Sequence, residues 1–242
     1  MKIVGFGDSF ILGLSEGHSL LPEVYQGMLG EKYNTYLDFR GVSGTGPWSS
    51  FFDFLDYMKE QKTAPDVVIF AWSEINRIYN NYVKVLNYGT AMNKMNDYME
   101  PNRQIYLTAL GYYKYFASTE KPNHEMAALM NMFDEMTLEF PTTKFINLHC
   151  FSWLEGSQWW DVYDTIDVSD IKYFHRFRNC AEVRPPLIYM SRRDQWPSDI
   201  SKETRECHLT TKMHRLLTDA IIECIDNYKP GKLVEIPANK IN

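Results

Sequence analysis

Long apolar runs, basic clusters and paired cysteines are all missing from this 242-residue sequence, and each absence removes a class of function. No stretch approaches the roughly 20 consecutive apolar residues of a membrane-spanning helix, so no membrane partner is expected. The densest basic spot, Arg192-Arg193, is followed at once by Asp194. With a net charge of −6 there is no concentrated cationic surface to neutralise phosphates, which argues against nucleic acid as a partner. Cys150, Cys180, Cys207 and Cys224 stand far apart with no CxxC pair, and they read as reduced, buried thiols rather than a zinc site or a disulfide framework. His18, His124, His149 and His175 lack ligand-like spacing; neither a metal nor a cofactor is expected. The opening Met1-Lys2-Ile3-Val4-Gly5-Phe6 is too short an apolar run for a signal peptide. The expected location is therefore the cytoplasm, or a virion assembled there.

What is present suits a globular domain: 45% of residues are hydrophobic and 23% charged, in a chain long enough to bury a substantial core. Short runs rich in β-branched and aromatic residues predict strands at 3–6, 35–39, 67–72, 104–109 and 145–148. Helical patterns lie at 20–31, 49–61, 79–99, 123–139 and 210–228, the last closed by Lys229-Pro230-Gly231. Alternation of this kind predicts βαβ units and a mostly parallel sheet covered on both faces. Functional loops then follow the carboxyl ends of the strands. The expected domain runs over 1–230, with an extended tail at 231–242. Methionines at 92–99 and 126–136 sit at helical spacing and read as core. Two regions break the alternation: a Tyr-rich loop at 111–122, and a stretch at about 151–200 holding Trp153, Trp159, Trp160, Tyr163, Tyr173, Phe174, Phe177 and Trp196. The second reads either as a lid over a site or as a satellite core.

Candidate chemistry sits near the two ends of the chain. Ser9 follows the first strand among Gly5, Gly7 and Gly13, where a tight turn can hold a hydroxyl exposed. Such a hydroxyl is a poor nucleophile without a base. Taken alone, Gly7-Asp8-Ser9 reads equally well as a polar turn, with Asp8 tying it down. Glu206-Cys207-His208-Leu209-Thr210, just before the last helix, supplies a candidate base. A carboxylate two residues from His208 can hold Nδ1–H and leave Nε2 for the serine. Taken alone, His208 is a surface histidine; His214, inside the helix, reads as a packing residue.

Read in order, these blocks resemble the SGNH, or GDSL, hydrolase family. Gly7-Asp8-Ser9-Phe10 is similar to its first block, and Gly41-Val42-Ser43-Gly44-Thr45-Gly46 to its second, which puts the oxyanion glycine at Gly44. Trp72-Ser73-Glu74-Ile75-Asn76-Arg77 stands in the third position, with Asn76 as donor, and His208 to His214 resembles the closing His-Pro-x-x-x-Gly-His pattern. The third block lacks the family's Gly-x-Asn-Asp, leaving the Ser73 hydroxyl as an alternative to Asn76. Arg205 stands where the family has aspartate, so Glu206, Asp199, Glu203 or a backbone carbonyl would orient His208. The resemblance implies a flavodoxin-like, three-layer α/β/α fold around a five-stranded sheet. It also implies cofactor-free hydrolysis of a carboxylic ester, with a small acyl or carbohydrate O-acetyl ester as substrate, through an acyl-enzyme on Ser9. Catalytic roles fall to Ser9, His208, Glu206, Gly44 and Asn76. Two further readings remain: a binding or structural protein, virion-associated, on the same fold with weak or no catalysis, and acyl transfer to an alcohol.

Overall fold

The central strands carry apolar side chains on both faces because helices cover both. The computed structural model describes residues 1–12, 24–35, 37–42, 44–73, 77–83, 85–115, 120–150, 177–184, 187, 190, 209 and 211–241. Strands β1 (Ile3–Gly7), β2 (Leu37–Gly41), β3 (Val67–Trp72), β4 (Lys144–His149), β5 (Ala181–Arg184) and β6 (Leu233–Glu235) form one sheet in the order β2-β1-β3-β4-β5-β6. Each neighbouring pair is parallel. The first five strands have the 2-1-3-4-5 order of a flavodoxin-like α/β fold. The expected fold class holds, with six parallel strands among the described residues in place of five.

Side chains alternate along the strands with period two. Ile3, Val67, Ile69, Ile146, Leu148 and Val183 face one side, where α2 (Tyr25–Tyr33) brings Tyr25 and Leu29. On the same side α7 (Thr211–Asp226) lays down Met213, Leu217, Ile221 and Cys224 at helical spacing. Val4, Phe6, Val68, Phe70, Trp72 and Phe145 face the other side. There α3 (Pro47–Glu60) packs Phe51, Phe54 and Tyr57, and α6 (Glu120–Met136) packs Met126, Leu129, Met130 and Phe133. The Phe133 ring lies 4.7 Å from Phe70 and 5.2 Å from Phe54, in an aromatic core with edge-on and tilted pairs.

Several expected elements differ. Residues 104–109, read as a strand, belong to α5 (Arg103–Tyr115). The alternation of Ile105, Leu107 and Ala109 is outweighed by Tyr106, Ala109, Leu110 and Tyr113, whose i, i+3, i+4, i+7 spacing builds a satellite core with α4 (Tyr88–Met95). Residues 111–115 of the Tyr-rich loop are the end of that helix. The helix expected over 79–99 shrinks to α4: Asn80 Oδ1 accepts from the Tyr82 and Val83 amides at 2.9 and 2.8 Å, and Asn87 caps α4 through Thr90 N. Met92 and Met99, read as core, are 39% and 90% exposed. Within the stretch read as an aromatic insertion, residues 181–184 form β5. Asp134 on α6 fixes the approach to that strand, because its carboxylate accepts from the Arg178 and Asn179 amides, each at 3.0 Å. Beyond Pro230 the chain adds edge strand β6 and α8 (Ala238–Ile241), and Ile236 and Ile241 enter the core. Among the described residues no helix is long and apolar enough to cross a membrane.

Candidate active site

The order of the sheet reverses between β1 and β3, and crevices at the carboxyl ends of such strands are where α/β folds bind ligands. Ser9 follows β1 there. Gly7 ends the strand at φ 156°, and a Cβ on it would sit 2.8 Å from the Ala71 carbonyl oxygen, so β1 can approach β3 this closely only with glycine. Asp8 then turns the chain. Its Oδ1 accepts from Phe10 N at 3.1 Å and its backbone oxygen from Ile11 N at 3.0 Å, which caps the short helix α1 (Ser9–Leu12). Ser9 therefore starts α1, half-buried. Among the described residues none takes its hydroxyl or accepts from its backbone N–H.

The loop after β2 lies against this turn. Val42 N donates to the Gly7 oxygen at 3.2 Å, and Thr45 donates to the Val42 oxygen through both its amide (3.1 Å) and its hydroxyl (2.8 Å). Gly44, third residue of that turn, has φ 79°, the left-handed value that favours glycine. A Cβ there would also meet Val85 Cγ1 at 2.8 Å. Like that of Ser9, the Gly44 N–H has no acceptor among the described residues.

Sequence reasoning missed the group that joins these loops. Asp8 is fully buried, and Arg77 Nη1 donates to its Oδ2 at 3.0 Å and to the Thr45 oxygen at 2.9 Å. One guanidinium thus ties the Ser9 turn to the Gly44 turn. The residue stood at the end of the third block, but nothing in sequence spacing pairs it with Asp8, 69 positions away. Ser73 Oγ also donates to the Thr45 oxygen, at 2.8 Å. Its single hydrogen is used in that bond. The Cys150 thiol points at Asp8 Oδ1 from 3.5 Å; burial first, then the Asp8 charge, push its pKa well up, so it stays a protonated donor.

Beneath α1, Tyr25 Oη donates to the Phe10 oxygen at 3.0 Å and Gln26 Nε2 to the Ile11 oxygen at 2.9 Å. Burial raises the Tyr25 hydroxyl well above its ordinary pKa, so it too remains a donor. His214 Nδ1 accepts from Tyr25 N at 3.3 Å and its ring stacks on Tyr25, a packing role. Of the predicted site residues, the structure brings Ser9 and Gly44 to one edge of the sheet. His208, Glu206 and Asn76 lie outside the described residues, as do Asp199, Glu203, Arg205 and the aromatics from Trp153 to Phe174. Among the described residues no group of three His, Cys, Asp or Glu side chains is placed to hold a metal ion.

A second polar cluster sits farther along the same edge. His149 Nε2 meets Glu182 Oε1 at 3.2 Å, and Arg184 Nε donates to that oxygen at 2.5 Å. Burial pushes the Glu182 carboxyl up, but the hydrogen bond and charge of His149, with those of Arg184, outweigh it and hold the pKa at about 2. A carboxyl depressed on folding contributes stability above its unfolded pKa and loses it as pH falls towards the folded value. Between pH 6 and pH 3 this one group is expected to forfeit about 2 kcal/mol. Urea midpoints at the two pH values should show that loss in the wild type and a smaller one in Glu182→Gln; equal losses would assign the acid sensitivity elsewhere.

No family model matches the sequence, and no curated protein matches it. Among solved structures, the chain is similar to a protein described as lipolytic, of the G-D-S-L family, from Desulfitobacterium hafniense DCB-2 (15% identity, 63% of this chain and 62% of that one, TM-score 0.32). It is also similar to a carbohydrate esterase family 2 enzyme with a carbohydrate-binding domain from Corynascus thermopiles (12% identity, 93% and 65%, TM-score 0.45). A third is an acetyl xylan esterase (10% identity, 100% and 80%, TM-score 0.36). The chain thus spans just under two thirds of the first two.

Proposed function

We propose that the chain is a serine hydrolase that cleaves a carboxylic ester, of a small acyl group or a carbohydrate O-acetyl group, through an acyl-enzyme on Ser9. The observation that carries this reading is the pairing of two loops at the carboxyl edge of the sheet. One offers a half-buried serine hydroxyl, and each offers a backbone N–H with no described acceptor, at Ser9 and Gly44. The Asp8–Arg77 pair and the Val42–Gly7 hydrogen bond hold the loops together, so little reorganisation is left for the moment of reaction.

In the proposed reaction Ser9 Oγ attacks the ester carbonyl while His208 Nε2 takes its proton, with Glu206 orienting the imidazole. The tetrahedral oxyanion is held by the Ser9 and Gly44 N–H groups and the Asn76 amide, each donor contributing about 3 kcal/mol to the barrier reduction. His208 returns the proton to the departing alkoxide, and a water repeats the cycle to free the acid. The substrate is a small-molecule or carbohydrate ester. A fluorophosphonate probe should label Ser9, identified by the mass of its peptide, and a His208→Ala variant should block labelling. A folded wild-type chain that takes up no probe would overturn the reading in favour of a non-catalytic binding protein.

A further inference from the structure

Three aromatic rings lie in a row on the surface next to the Gly44 turn. Trp48 and Phe52 stand one helical turn apart on α3 and stack at 5.9 Å with 27° between their planes; Tyr79 continues the row, 5.0 Å from Phe52. Phe52 is 37% exposed and Tyr79 41%, while Phe51 and Phe54 on the same helix are buried in the core. The core thus takes one face of α3 and part of Trp48, which is half-buried with its ring edge-on to Phe51, while Phe52 and Tyr79 stay exposed among the described residues. Single exposed apolar residues are commonplace, but three adjoining rings form a patch of the kind that marks a ligand surface.

The row is coupled to the candidate site by direct contacts. Trp48 follows Gly46-Pro47 at the start of α3, and a Cβ on Gly46 would lie 2.7 Å from the Arg77 oxygen. Arg77 in turn binds Asp8 beside Ser9, and Tyr79 comes two residues after it. We propose that Trp48, Phe52 and Tyr79 form a stacking subsite for a neutral pyranose ring of the substrate. This inference deepens the esterase reading and rests on it for the word substrate.

A pyranose has a flat face of C–H bonds, which packs on an aromatic ring, and a rim of hydroxyls, which needs polar neighbours. Both features are met here. Tyr79 Oη donates to Asn81 Oδ1 at 2.9 Å, so the exposed Asn81 side chain borders the rings. An acyl chain would gain most from an enclosed apolar groove, whereas among the described residues these rings carry a polar border. The chain's net charge of −6 disfavours an anionic ligand such as a phospholipid headgroup or a sulfated sugar.

The test titrates xylotetraose, cellotetraose and chitotetraose separately into the Ser9→Ala chain, followed by tryptophan fluorescence and by amide and indole chemical shifts, with dodecanoate as an aliphatic control. At least one sugar should bind, with shifts at the Trp48 indole. Trp48→Ala added to that chain should weaken binding at least tenfold, Phe52→Ala severalfold, and Trp48→Phe should restore most of it. Thermal midpoints report whether each variant is folded, and exposed Phe52 gives a variant that folds should Trp48→Ala not. The inference is overturned if no sugar binds, if the folded variants bind as the parent does, or if dodecanoate alone binds. Binding requires no turnover, so failure of the esterase reading, seen as absent Ser9 labelling, is distinguishable from failure of the subsite.

Discussion

Ser9→Ala is expected to abolish ester hydrolysis, lowering kcat for p-nitrophenyl acetate by a factor of at least about a thousand and up to about a million. Stability should change by less than about 1 kcal/mol. The cap of α1 comes from Asp8 rather than Ser9, no described residue hydrogen-bonds the Ser9 hydroxyl, and alanine is a strong helix former at the position Ser9 occupies. Rate and thermal midpoint measured on the same preparation separate the two effects. A folded Ser9→Ala chain that turns over the ester at the wild-type rate removes Ser9 from the mechanism. A variant that loses both rate and fold would instead make Ser9 a structural member of the turn.

The fold was largely legible because its signals are local and repeated. Apolar runs at β1 and β3 are buried on both faces, so they read as unbroken hydrophobic segments even in isolation, and in β4 Phe145, Ile146 and Leu148 still mark the strand around buried Asn147. The final helix announces itself through Met213, Leu217, Ile221 and Cys224 on one face and Lys229-Pro230 at its end. Errors fell where a local pattern was ambiguous. In 104–109 apolar residues satisfy both periods for six positions, and only contact with α4 selects the helix. β5 and β6 have only four and three residues, too short for periodicity, and their placement depends on partners in β4 and β5 that sequence does not reveal.

The candidate site was legible in its backbone and illegible in its charges. Gly7 could be singled out because a tight turn after a strand needs small residues, and Gly44 through the resemblance of its block to the hydrolase family; both carry positive φ. Asp8 was read as a residue that ties down its own turn, and it does so through Phe10 N. Its second role, binding Arg77 across the crevice, depends on β1 and β3 being neighbours, which is a property of the sheet rather than of either segment. The same holds for His149 and Glu182: β4 and β5 bring them together, and no spacing rule links positions 33 apart.

Arg77→Met is expected to destabilise the chain by about 3–5 kcal/mol, because it leaves the fully buried Asp8 carboxylate without the guanidinium that balances it. The pair is well shielded, the Arg77 side chain being only 10% exposed, so the loss is not the small one typical of surface ion pairs. Asp8→Asn alone should also cost stability, since it sets an amide donor against the same guanidinium while keeping an oxygen for Phe10 N. The double variant should be less destabilised than the two changes added together, by about 1–3 kcal/mol in urea unfolding. Strict additivity would show that the 3.0 Å contact contributes nothing of its own. Activity gives an independent reading of the same pair. Arg77 also holds the Thr45 oxygen, and with it the turn that presents the Gly44 N–H, so its loss leaves the two loops joined by the Val42–Gly7 hydrogen bond and loosens the Gly44 turn. Displacement of an oxyanion donor by about 1 Å can cost on the order of a hundredfold in rate. Under conditions where Arg77→Met remains folded, kcat per folded molecule is therefore expected to fall at least tenfold, whereas a purely structural pair would leave it unchanged.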